Sequence, residues 1–201
     1  MADKLDLLKL HKADYASPKK PVMLDIAPAR YLAIDGRGAP GGDEFQTALG
    51  ALYGMAFTLK MTRKFGGGQD YAVCKLEAQW TDTGDGTAPR NEWCWKMMIR
   101  TPEFVEPAEL KLAAARLSEK GKGEGAERVE LLSIEEGRCV QVLHVGPYED
   151  EGRSIEGLRV FAAEQGHEFH GHHHEIYLSD PRRVPPERLR TILRQPVRPR
   201  G

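Results

Sequence analysis

The sequence predicts an α+β fold, an antiparallel sheet surface with helices packed on its back. Three observations carry this. The first is the stretch His174-Glu175-Ile176-Tyr177-Leu178-Ser179-Asp180, which reads as a short strand. Ile176, Tyr177 and Leu178 favour a pleated backbone, and Asp180-Pro181 stops it, because proline cannot donate to a ladder. The second is a copy of that stretch, Leu76-Glu77-Ala78-Gln79-Trp80-Thr81-Asp82, displaced by 98 residues. It pairs Glu77 with Glu175, Thr81 with Ser179 and Asp82 with Asp180. The third is order: each half of the chain reads strand, helix, strand, strand, as a duplicated domain would.

Taken in order, residues 1–28 are polar and punctuated by Pro18, Pro21 and Pro28, so a docked arm is expected rather than a core element. Residues 30–36 read as a strand. The glycine-rich run 36–42 lacks the Gly-Lys-Ser/Thr of a phosphate loop and reads as a strand-to-helix connection. A helix is expected from about Glu44 to Arg63, with Asp43 as N-cap, Gln46 as its capping-box partner, and Phe45, Leu49, Leu52, Tyr53 and Ala56 on one face. Residues 71–80 and 93–100 read as a long hairpin around a polar loop at 81–92. Pro107 opens a second helix. The glycine-rich, charged segment 118–127 is the expected linker between halves. In the second half, strands are expected at 129–134 and 138–145, then a helix from about Glu149 to Gln165, then the second glutamate strand. Arg190–Val197 is the expected last strand, placed at an edge by Pro196. The whole is read as one domain over 29–198, halved at about 29–117 and 128–198.

Of the 201 residues, 40% are hydrophobic, enough for one good core, and the net charge of −1 gives no global pull toward nucleic acid or membrane. No apolar run reaches the roughly 18 residues of a transmembrane helix. Met1-Ala2-Asp3-Lys4 lacks the order of a signal peptide, so a cytoplasmic location is expected. Cys74, Cys94 and Cys139 fall in strands without CxxC spacing and read as reduced, packed thiols.

The candidate chemistry follows from strand alternation. Glu175 and Tyr177 share one face of their strand, while His174, Ile176 and Leu178 share the other, which reads as core. A carboxylate on an apolar wall is protonated more readily unless a cation or donor compensates it. Glu175 can therefore serve as a general base for water, or, with Glu77, receive a cationic ligand. Tyr177 can donate to an oxygen that gains negative charge. Equally, Glu77 and Glu175 can pair with Lys75, Lys96 or Arg194 on neighbouring strands. Trp93 and Trp95 share a face and either stack on a flat ligand or pack in the core. Tyr148, after Gly146-Pro147, either lines the groove or closes it. Tyr53 and His144 complete the candidate ligand-binding set, His144 as a residue able to orient Glu175. Asp82 and Asp180 read as turn caps. The histidines at 167, 170, 172, 173 and 174 lack the companion spacing of a metal site, and no metal or cofactor is expected. The C-terminal arginines read as a solvated basic surface rather than a specific nucleic-acid reader.

The words Cys139-Val-Gln-Val-Leu-His-Val-Gly-Pro-Tyr-Glu-Asp-Glu151 and Glu175-Ile-Tyr-Leu-Ser-Asp-Pro-Arg-Arg183, with Leu76–Trp80 and Met98–Val105, resemble the GyrI-like small-molecule-binding family over about residues 20–198. The resemblance implies two pseudo-symmetric βαββ (SH2-like) repeats around a ligand groove. It implies a flat hydrophobic or cationic aromatic ligand, with a homodimer allowed. The chain looks most like the branch that resembles hydrolases opening the cyclopropane of DNA-alkylating natural products. In that reading Glu175 activates water and Tyr177 donates to the substrate carbonyl. Two other implications stay open: a protein-interaction module such as a DNA gyrase inhibitor, and a ligand-sensing regulator domain without its DNA-binding part.

Overall fold

The computed structural model describes residues 4–80 and 89–201. In chain order the strands are β1 (Val22–Ile26), β2 (Ala29–Arg37), β3 (Leu76–Trp80), β4 (Cys94–Arg100), β5 (Glu130–Ile134), β6 (Gly137–Val145), β7 (His167–Phe169), β8 (His173–Tyr177) and β9 (Arg190–Pro199). The α-helices are α1 (Leu7–Leu10), α2 (Asp43–Phe65), α3 (Pro107–Glu119) and α4 (Glu151–Glu164). This is the mixed α+β architecture that the sequence predicts. No helix among the described residues is long and apolar enough to cross a membrane. The chain forms two units, one of Met1–His11 and Ala29–Ile134, the other of Lys12–Pro28 and Glu135–Gly201.

In the first unit the strands run β3-β4-β2-β5, all antiparallel. One face of this sheet carries Ile34, Met97 and Trp95 toward α2, whose Ala48, Leu52, Met55 and Leu59 are buried. The other face carries Ala29, Tyr31, Ala33 and Met98, with Leu132 and Ile134 packed against them. Helix α2 starts one residue earlier than expected: Gly42 is the N-cap, without a side-chain cap, and Asp43 lies inside the first turn. There its charge still favours the positive end of the helix dipole. Helix α3 begins on Pro107 and closes a capping box between Glu106 and Glu109. Asp82 and the rest of residues 81–88 lie outside the described residues.

In the second unit the order is β1-β6-β9-β8, with β7 pairing β9, again antiparallel. Each unit thus places the second, third and first strands of its strand-helix-strand-strand order side by side, as β3-β4-β2 and β8-β9-β6, and adds one edge strand. The added strand follows the first repeat as β5 but precedes the second as β1. Two expectations change accordingly. Residues 1–28 supply β1 to the second unit and a Leu5–Tyr71 bridge to the first. Strand β5 pairs β2, so the first unit runs past the 118–127 segment.

Pro196 does not mark an edge. Strand β9 lies inside its sheet, and Pro196 sits opposite Cys139 of β6. Its carbonyl accepts from His170 N, so its nitrogen also points to that side, where β7 has ended and β8 has not begun. The missing donor falls in a gap that has no ladder to break. Helix α4 covers this unit by packing Leu158 and Ala162 on Val140, Val142, Leu193 and Val197.

The opposite face of the second unit holds a buried ionic network. Arg194 donates from Nη1 to Glu136 Oε2 at 2.8 Å and from Nε to Gln141 Oε1 at 2.8 Å. His174 Nδ1 lies 2.9 Å from Glu136 Oε1. Burial alone would push the Glu136 carboxyl up, but His174 and Arg194 outweigh it and hold the group down to about 2.

Two predictions follow from this packing. A Cβ on Gly36 would stand 2.0 Å from Trp95 Cη2, and Trp95 is itself held by Phe45 and by its Nε1 bond to Gly38 O. Gly36→Ala should therefore cost about 1–3 kcal/mol or more in urea unfolding; an unchanged midpoint would show that the indole moves freely. Glu136 has a depressed pKa in the fold, so its contribution is complete above the ordinary glutamate range and is lost as pH falls toward 2. Glu136→Gln should lower stability by about 3–5 kcal/mol near neutral pH, because it removes the buried charge that Arg194 pairs with, and should flatten this acid limb.

Candidate functional site

Strand β8 sets the site because both of its faces are buried. Its register places Glu175 opposite Leu193 and Tyr177 opposite Thr191. Residues opposite one another share a face, and Leu193 packs under α4. Glu175 and Tyr177 therefore look toward α4, while His174 looks toward Glu136. The Tyr177 hydroxyl donates to Glu175 Oε2 at 2.6 Å, short as a bond to a charged acceptor is. His173 Nε2 stands 3.5 Å from Glu175 Oε1.

The turn after β6 brings in the remaining groups. Gly146 takes φ 141°, a conformation that a side chain would strain. Pro147 follows, then a 3₁₀ turn at Tyr148–Asp150, and α4 begins on Glu151. His144 locks this corner rather than orienting Glu175. Its Nε2 lies 3.1 Å from the Pro147 carbonyl and its Nδ1 lies 3.0 Å from Ser154 Oγ. The Pro147 carbonyl can only accept, so Nε2 carries a proton. The corner sets the Tyr148 ring edge-on to Tyr177 at 5.8 Å. Tyr148 keeps 36% of its surface exposed, whereas Glu151 keeps 5% and Glu175 9%.

The two carboxyls govern the electrostatics. Glu151 is pushed up to about 9, first by burial and then by the charge of Glu175 and the hydrogen bond between the two. Thr191 pulls the other way, as does the start of α4 through its dipole, and both are outweighed. Burial beside a second carboxyl favours the protonated form of Glu151. Tyr177 is raised well above the ordinary phenol value and Tyr148 to about 12, each first by burial and then by neighbouring carboxylates. Asp180, at the strand end, accepts from the backbone and side chain of Arg182 and is held down to about 2. It caps the turn, as its type predicts.

The other expected site residues lie in the first unit. Glu77 is fully buried opposite Met98, on the face turned away from α2. The 98-residue shift therefore matches glutamates on opposite kinds of face, since a one-residue change of register turns every side chain over. Of the two readings open for Trp95, the structure has the ring packed in the core. It is 1% exposed, with its ring edge-on to Phe45 of α2. Trp93 is half-buried and meets Trp80 edge-on at 5.7 Å. Tyr53 stacks on Phe57 along α2, across the sheet from Glu77. Arg194, one expected partner for the glutamates, pairs with Glu136.

Two residues of consequence carry no signal in strand alternation. Glu136 looks like a turn residue, and Glu151 like one acid among several at a helix start. Only the Gly-Pro turn, which aims the helix start at the sheet, hints at Glu151. Among the described residues no group of three or more His, Cys, Asp or Glu side chains is placed to hold a metal ion.

A family model for the GyrI-like small molecule binding domain matches residues 19–198. A protein described as a hydrolase from Listeria innocua is 35% identical, covers 97% of this chain and 100% of its own, and has a TM-score of 0.89. An uncharacterized conserved protein from the same organism is 36% identical with the same coverage and a TM-score of 0.90. The EcmrR C-terminal domain shares the fold at 11% identity and a TM-score of 0.59, over 90% of this chain and 98% of its own. No curated protein matches the chain. With the family model matching nearly its whole length, this chain belongs to the GyrI-like small-molecule-binding domain family.

Proposed function

We propose that this chain binds a flat, hydrophobic or cationic aromatic small molecule and hydrolyses cyclopropane-bearing alkylators, with Glu175 as the general base. The observation that carries the reading is Glu175 itself: buried, held on Oε2 by the Tyr177 phenol, and set beside a second carboxyl under a half-exposed tyrosine ring. A Listeria innocua relative described as a hydrolase, aligned along its full length, supports catalysis over binding alone. The choice of substrate rests on the sequence resemblance.

The chemistry is addition of water. Glu175 takes a proton from water as the oxygen bonds to a cyclopropane carbon. The strained C–C bond breaks, and its electron pair moves through the conjugated system to a carbonyl oxygen, which gains a proton. The net change is a gain of one water. Tyr177 acts here through Glu175. Its hydroxyl proton is directed at that carboxylate, fixing its rotamer and lowering its charge density. Tyr148 offers the exposed edge of the site to the ligand.

Loss of a general base costs on the order of 10² to 10⁴ in rate. Glu175→Gln should lower turnover by about that factor while ligand affinity, followed by tryptophan or tyrosine fluorescence, changes little. Tyr177→Phe should lower turnover less. The assay is incubation with a cyclopropane fused to a conjugated ketone, followed by mass spectrometry for the hydrated product. A wild type that yields none, or a Glu175→Gln variant as fast as wild type, would refute the reading.

A further inference from the structure

We infer that Glu151, the first residue of α4, is the proton donor of the site, so that the buried carboxyl pair divides the work: Glu175 accepts a proton from water and Glu151 delivers one to the oxygen that receives the ring's electron pair. The inference rests on the hydrolytic reading above and names the group which that reading leaves unassigned.

The other donors at this site are engaged or directed elsewhere. Tyr177 directs its hydroxyl at Glu175. His144 has both ring nitrogens engaged, one on Pro147 O and one on Ser154. Glu151 faces Glu175 and Tyr177 from β8, Thr191 from β9, and Tyr148 and Glu149 from its own turn, and none of these is a cation. His173 stands beside Glu175, on the far carboxyl of the pair. Glu151 is 5% exposed, and its Oε1 accepts no hydrogen bond among the described residues. A carboxyl so placed keeps its proton, because two close carboxylates cannot both ionise cheaply. Such a divided pair is a recurrent way of running acid and base steps together near neutral pH.

Tyr148 competes with Glu151, since its phenol is the more exposed. It is held near 12 and Glu151 near 9, so the carboxyl is the stronger acid and the nearer to working pH. The proton balance closes on this assignment. Water gives one proton to Glu175, Glu151 gives one to the product oxygen, and transfer between the two carboxyls resets the pair.

The rate should be bell-shaped in pH. Glu151 must be protonated, so activity falls as pH rises through its elevated pKa. Glu151→Gln should lower kcat about 10²- to 10³-fold near neutral pH and remove that basic limb. Electron-withdrawing groups on the substrate ring stabilise the product oxyanion and reduce its need for an acid. They should restore rate to Glu151→Gln but not to Glu175→Gln, a contrast that a merely structural role would not produce. Glu151→Asp should keep the basic limb at reduced rate. Infrared spectra of the ligand-free protein give a readout independent of turnover: a protonated-carboxyl band at neutral pH, lost in Glu151→Gln. The inference is overturned if the band persists in that variant, if the basic limb survives Glu151→Gln, or if Tyr148→Phe rather than Glu151→Gln removes it. An inert wild type would overturn the hydrolytic reading first. An active wild type with an unaltered limb in Glu151→Gln would overturn this inference alone.

Discussion

Strand β8 is buried on both faces, and each face carries an ionisable group. That constraint shapes the second unit. His174 and Glu175 are neighbours in sequence, so alternation sends them to opposite sides of the sheet. On one side His174 meets Glu136 and, through it, Arg194. On the other Glu175 meets Tyr177 and Glu151. Neither group can be left without a partner, because a polar group cut off from water costs about as much as the interaction it loses. The flanking elements are therefore fixed around these two side chains: the turn that carries Glu136, and the Gly146-Pro147 corner that starts α4 on Glu151.

The two sides show how the sign of a partner decides the state of a buried carboxyl. Burial raises the pKa of both Glu136 and Glu151, and in both it is the largest single influence. Glu136 faces a histidine and an arginine and ends near 2, while Glu151 faces another carboxylate and ends near 9. The first is a charged structural tie, with a partner on each oxygen. The second is biased toward its protonated form beside the proposed base. The proposed chemistry uses the side where compensation is incomplete, as expected where local rules are broken without an evident structural gain.

Much of this was legible in the sequence, and the limits are specific. Alternation within His174–Tyr177 correctly paired Glu175 with Tyr177, because a strand allows no other arrangement. It could not say which face met the helix, since Ile176 and Leu193 bury equally well on either side. That ambiguity left Trp95 open as a ligand platform, although Gly36 beneath its ring is the mark of a packed indole. It also let the 98-residue match align Glu77 with Glu175, where a residue-type match outweighed the face on which each lies. Strand β1 was hidden among Pro18, Pro21 and Pro28, and β7 is only three residues long. The placement of Glu151 was unreadable because it depends on the corner that His144 holds through Pro147 O and Ser154 Oγ, contacts that no periodicity encodes.

The central claim is that one buried glutamate holds its proton while another holds its charge. Carboxyl carbon NMR of the glutamate-labelled protein, titrated across the stability range and assigned by single Glu→Gln substitutions, tests it directly. The account predicts that the Glu136 signal stays in its ionised position down to about pH 2, while the Glu151 signal stays in its protonated position up to about pH 9. Titration of both in the ordinary glutamate range, or a Glu151 signal already ionised at neutral pH, would contradict it.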